Sequence, residues 1–126
     1  MKDIETPEDI HRIVSTFYDY LLQDQSISYL FTDVVAIQLE EHLPILVTFW
    51  SQALLGTGGY YNNLTQIHLD LNHKSALTPE LFQIWLVHFN AAIDMHCQGL
   101  NCERMKTQAL NLSTVMQIKI AQENNK

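Results

Sequence analysis

The chain has 126 residues, 47% of them hydrophobic, and a formal net charge of −7, the size and make-up of one folded domain. Seven scattered basic residues are too few to neutralise a run of phosphates, so no nucleic-acid partner is expected. No apolar run reaches the ~18 residues that span a bilayer, and no basic-then-apolar export signal opens the chain, so the expected compartment is the cytoplasm.

Thr6-Pro7-Glu8-Asp9 reads as a helix start, with a hydroxyl cap, a first-turn proline and acids at the positive end of the dipole. Ile10, Ile13, Val14, Phe17, Tyr18, Leu21 and Leu22 then recur at helical spacing. Asp24-Gln25-Ser26 ends that helix, and Ile27 to Phe31 reads as a short turn. Thr32-Asp33 can cap a second helical region reaching Leu55, with Leu39, His42, Leu43, Leu46, Phe49 or Trp50, and Ala53 inward. Pro44 predicts a kink there, or a helix beginning near Glu41.

Gly56-Thr57-Gly58-Gly59 breaks the chain, and Tyr60 to Asn63 continues a loop. Gln66-Ile67-His68-Leu69-Asp70-Leu71 reads as a short, weakly structured segment, followed by a polar loop from Asn72 to Leu77. Thr78-Pro79-Glu80 repeats the first helix's opening. It starts a helix apolar nearly all round: Phe82, Trp85, Leu86, Phe89, Ala92, Ile93 and His96 on one stripe, Leu81, Ile84 and Val87 on another. Such a helix is expected to be central. Gly99 terminates it, and Asn101 can cap a last helix to about Ala121, with Met105, Ala109, Leu112 and Met116 inward. No stretch alternates with period two, so the chain is expected to be all-α, with about four substantial helices.

Cys97 and Cys102 match neither a redox nor a haem-attachment spacing and are expected as reduced thiols near a helix end. No Gly-x-Ser-x-Gly elbow supports a nucleophilic triad, and no glycine loop opens a helix to hold phosphate. His-Glu-x-x-His and Glu-x-x-His are absent. The best metal cluster is His96-Cys97 with Cys102, which leaves a small zinc protein as one alternative. His11 and His73 are expected in solvent, and His88 and His96 as hydrogen-bonded helix residues. There remain His68 and three amphipathic side chains that helical spacing can turn inward, Tyr18, His42 and Trp85. Each has an apolar body and a polar tip that needs a partner when buried. Together they suggest a ligand pocket. The competing reading is a cofactor-free helical interaction domain in which they are ordinary core residues.

Phe17-Tyr18, Phe31, Glu41-His42-Leu43-Pro44, Phe49-Trp50 and Leu54-Leu55-Gly56-Thr57-Gly58 with Tyr60 or Tyr61 resemble the truncated haemoglobins, specifically their third group. So do His68-Leu69-Asp70-Leu71 and Leu81-Phe82-Gln83-Ile84-Trp85-Leu86. The resemblance runs from about Thr6 to Ala121. It implies a single globin-like domain over residues 1–126, with 1–5 and 122–126 frayed. The fold implied is a two-over-two helical sandwich around haem b, with the helix before the iron-binding histidine mostly reduced to loop. Position by position it implies His68 as the proximal iron ligand, with His73 as its rival. Tyr18, His42 and Trp85 become the distal residues, and Phe31 the aromatic wedged against the porphyrin. Leu46, Trp50, Trp85 and Phe89 are expected haem contacts beside them. The function implied is reversible binding of O2, NO or CO at ferrous iron. Turnover of NO with O2, or of peroxide, would need an external reductase, because the chain has no flavin or nicotinamide motif.

Overall fold

Apolar residues at helical spacing build five α-helices and, among the described residues, no strand. The computed structural model describes residues 1–60 and 63–126. The first helix, α1, spans Pro7–Gln23, and its start follows the expected chemistry. Thr6 accepts the backbone N–H of Asp9, while the Asp9 carboxylate accepts those of Glu5 at 2.9 Å and Thr6 at 3.1 Å. Asp9 is buried, and Arg12 and Lys2 flank it. Those backbone bonds and charges outweigh desolvation and hold its carboxyl below the usual range.

A short π-turn, Leu30–Val34, follows. Thr32 and Asp33 lie in it rather than capping the next helix. That helix, α2, spans Leu39–Leu55 with Gln38 at its N-cap, and continues through Pro44. It opens just ahead of the expected Glu41, and Pro44 lies past the first turn, so the amide it lacks leaves the Glu40 carbonyl without its ladder bond while the helix continues. Gly56 ends α2 at φ 72°, the left-handed geometry that lets its N–H reach back to the Gln52 carbonyl.

The segment around His68 is a helix, not a loose strand of chain. α3 spans Leu64–Lys74, capped by the Asn63 side chain, which accepts the Gln66 N–H at 3.1 Å. The expected polar loop therefore shrinks to the residues between Lys74 and α4, which spans Pro79–His96 under a Thr78 cap. α4 is also less enclosed than its composition suggests. Leu81, Phe82, Leu86, Phe89, Ala92 and Ile93 are buried, but Val87 is exposed.

α5 spans Leu100–Asn124 and is capped from far away in sequence. The Asp3 carboxylate accepts the backbone N–H groups of Asn101 at 2.9 Å and Cys102 at 3.0 Å, and the Lys2 carbonyl accepts Gln98 N–H. Ile4 is buried beside them. The expected fraying of residues 1–5 is opposed by these bonds. Gly99, expected to end α4, precedes α5 with φ 142°, and a Cβ there would lie 2.6 Å from the Asp3 Cγ. Cys97 and Cys102 are joined by a disulfide across the same corner. This corrects the expectation of reduced thiols: the turn between α4 and α5 brings their Cα atoms to 6.2 Å, within bridging reach.

Helix pairs α1–α2 and α4–α5 form the body, with α1 laid on α4 and the core between them. α3 leans mainly on α5 and does not pack extensively on α2 or α4. No helix among the described residues is long and apolar enough to cross a membrane.

Candidate functional site

Tyr18 projects from α1 into the core and is 6% exposed. A buried phenol needs a partner, and α2 provides one: His42 Nε2 lies 2.8 Å from the Tyr18 hydroxyl. Burial raises the Tyr18 phenol above its ordinary value and lowers His42, so both are neutral near physiological pH. The pair shares one proton. If His42 carries its hydrogen on Nδ1, Tyr18 donates to it; if on Nε2, His42 donates and the phenol proton is free to point elsewhere.

Around this pair lie the other aromatics expected at a haem. Phe31, brought in by the π-turn, meets Tyr18 edge-on at 5.6 Å between centroids. Phe17 meets both Tyr18 and Trp85 edge-on, at 5.4 and 5.7 Å. Trp85 and Phe89, one helical turn apart on α4, stack at 5.2 Å with planes 5° apart, and Trp50 of α2 also stacks on Phe89 at 5.3 Å. Leu46 lies half-buried on α2 against the same core.

His68 stands on α3. Its Nδ1 lies 2.9 Å from the Leu64 carbonyl one turn earlier. A carbonyl can only accept, so Nδ1 carries the hydrogen and Nε2 presents a lone pair. His73 is differently employed: its Nε2 lies 3.2 Å from the Glu123 carboxylate. α3 has no fully buried residue, although Leu64, Ile67, Leu69 and Leu71 are apolar. A groove of about 650 Å³ opens at its amino end, walled by apolar Phe49, Leu64, Leu112, Val115 and Met116 and by polar Asn63, Thr65, Gln108 and Asn111, and lined by none of Tyr18, His42, His68 or Trp85.

No family model and no curated protein matches this sequence. Among solved structures, the chain superposes on the crystal structure of a group III truncated haemoglobin from Campylobacter jejuni. The TM-score is 0.84 over 95% of both chains, at 23% sequence identity. The fold is that of a truncated globin. At this identity the likeness fixes the arrangement of helices, and the chemistry must be argued from the side chains.

Within the truncated-globin fold, Tyr18, His42, Phe31, Trp50, Trp85 and Phe89 come together in one cluster. His68 stands apart from it on its own helix. The zinc alternative loses its ligands, because Cys97 and Cys102 are bonded to each other and His96 lies 2.6 Å from Thr16 Oγ1. Among the described residues no three His, Cys, Asp or Glu side chains gather to hold a metal ion. His88 pairs with Asp24 at 2.7 Å. The α5 wall of the groove was legible only as an inward-facing stripe of Leu112 and Met116. Val115, lying on the other face of that pattern, carried no signal.

Proposed function

We propose that this truncated-globin fold holds haem b, with His68 as the residue that would ligate the iron and Tyr18, His42 and Trp85 as the residues that would meet a diatomic ligand. The observation that carries this reading is the state of His68. Its Nδ1–H is committed to a backbone carbonyl, which fixes the tautomer, orients the ring and leaves Nε2 as the donor a metal takes. The surroundings fit a flat apolar group. α2 and α3 both carry incompletely covered apolar side chains and do not pack extensively on each other, and Phe31, Leu46, Trp50, Trp85 and Phe89 supply apolar contact.

Haem b, when bound, would supply a ferrous iron able to take O2, NO or CO. The chain's own contribution is polar discrimination inside a dry pocket. The Tyr18 hydroxyl and the Trp85 indole N–H can each donate to a diatomic ligand, a contribution of about 1–3 kcal/mol apiece. Acting together they would slow ligand release by about 30-fold to about 10⁴-fold. Retention of that order suits redox turnover or sensing better than oxygen delivery. His42 sets how much of the Tyr18 donor is available, since the two share a single hydrogen bond. Conversion of NO and O2 to nitrate is within this chemistry, with electrons from a separate reductase.

Titration of the purified protein with hemin tests the proposal. A sharp Soret band is expected, lost in His68→Ala and retained in His73→Ala. A protein that takes up no hemin, or one whose band survives His68→Ala and disappears in His73→Ala, overturns it.

A further inference from the structure

The aromatic side chains do not stop at the pocket. From Tyr18 a continuous series of rings runs through Phe17, Trp85, Phe89, Trp50 and Phe49 to Tyr60, a half-exposed residue on the loop after α2. Every step is between 5.0 and 5.7 Å from centroid to centroid. Four members, Tyr18, Trp85, Trp50 and Tyr60, are oxidisable. One phenylalanine separates each from the next, so each transfer crosses a single bridging ring. Packing alone does not require the oxidisable rings to alternate with phenylalanine from the buried end to the loop. The entry point is also provided for. A tyrosine loses its proton when it is oxidised, and Tyr18 has His42 Nε2 at 2.8 Å to receive it. At the other end, Tyr60 can exchange its proton with water.

Resting on the haem reading above, we propose that this series conducts oxidising equivalents from the pocket to Tyr60, so that a peroxide reduced inside can oxidise a neutral phenol outside. Tyr18 gives up an electron to the pocket and its proton to His42. It is refilled from Trp85, which is refilled in turn through Trp50 from Tyr60. Tyr60 releases its proton to water and takes an electron and a proton from the phenol. Two such passages convert one peroxide and two protons to two waters and leave two phenoxyl radicals, whose released protons replace those consumed. A net charge of −7 repels anionic reductants, so neutral phenols and hydroquinones are the matching donors.

Two measurements test this, one of them without haem. In the haem-free chain, azidyl radicals from pulse radiolysis oxidise tryptophan. The tryptophanyl absorption is expected to give way to a tyrosyl signal at a rate independent of protein concentration. In a Tyr18→Phe background, which removes the other tyrosine of the series, Tyr60→Phe or Trp50→Phe abolishes that intramolecular phase, whereas Tyr20→Phe, off the series, keeps it. In the hemin-loaded chain treated with hydrogen peroxide, a nitroso spin trap located by peptide mass spectrometry is expected on Tyr60, and its adduct is lost in Trp50→Phe. Transfer that depends on protein concentration, or a Tyr60 adduct undiminished in Trp50→Phe, overturns the relay. Failure to take up hemin removes the haem reading and leaves the pulse-radiolysis result standing, so the two failures are distinguishable.

Discussion

Replacing Tyr18 with Phe removes one hydroxyl and keeps the ring that packs edge-on against Phe17 and Phe31. The lost donor corresponds to about 1–3 kcal/mol on a diatomic ligand, so O2 release should accelerate by about 5-fold to about 150-fold. The structure adds a second arm with the opposite sign. Tyr18 shares its hydrogen bond with His42, so His42→Leu frees the phenol to donate wholly to the ligand and should slow release below the wild-type rate. Stopped-flow displacement of O2 by CO from the reduced, hemin-loaded protein measures both. If Tyr18→Phe releases O2 no faster than wild type, the hydroxyl stays on His42 when ligand binds and the distal assignment of Tyr18 fails. Acceleration in both variants would instead mean that His42 stabilises the ligand itself, which refutes the sharing argument while sparing the pocket.

Other consequences are open to measurement. Asp3→Ala removes the carboxylate that caps α5 and should cost about 1–2 kcal/mol; at the usual unfolding entropy per residue this is a fall of roughly 4–8 °C in Tm by circular dichroism. Reducing the Cys97–Cys102 bridge, which closes a short loop, should cost about 2 kcal/mol by the chain-entropy relation, read as a lower Tm in dithiothreitol that Cys102→Ser reproduces. Hydrogen bonds from Ser26 and His88 hold Asp24 at about 2, below its ordinary 3.8. A depressed carboxylate stabilises the fold above its unfolded value and loses that stabilisation as pH falls towards the folded one. Stability should therefore decline between about 3.8 and about 2, with a shallower slope in Asp24→Asn. Ser51 Oγ is buried with no partner among the described residues, so Ser51→Ala should be neutral or raise stability by about 1 kcal/mol in urea melts.

The helices that were legible in the sequence are those whose signals are local. Thr6-Pro7 and Thr78-Pro79 announce α1 and α4 through chemistry confined to one turn. α3 was misread because its signals are weak. It has four apolar residues at imperfect spacing, none of them buried, and an asparagine cap that resembles any loop residue. The error mattered for the site, since only a helix places the Leu64 carbonyl within reach of His68 Nδ1. The aromatic cluster was legible as a set of inward positions, but the pairing of Tyr18 with His42 across two helices was not. Nor was the disulfide, which depends on how sharply the chain turns around Gly99.

The tie between Asp3 and the start of α5 joins residues 98 and 99 positions apart. Chain emerging from a ribosome has its first residues long before the amides they must bind. Closure of the α4–α5 corner therefore waits for Asn101 and Cys102, long after α1 is complete. Contacts this distant in sequence slow folding. A fusion placed directly ahead of Asp3 would press on this corner, whereas one placed beyond Asn124 would leave it alone.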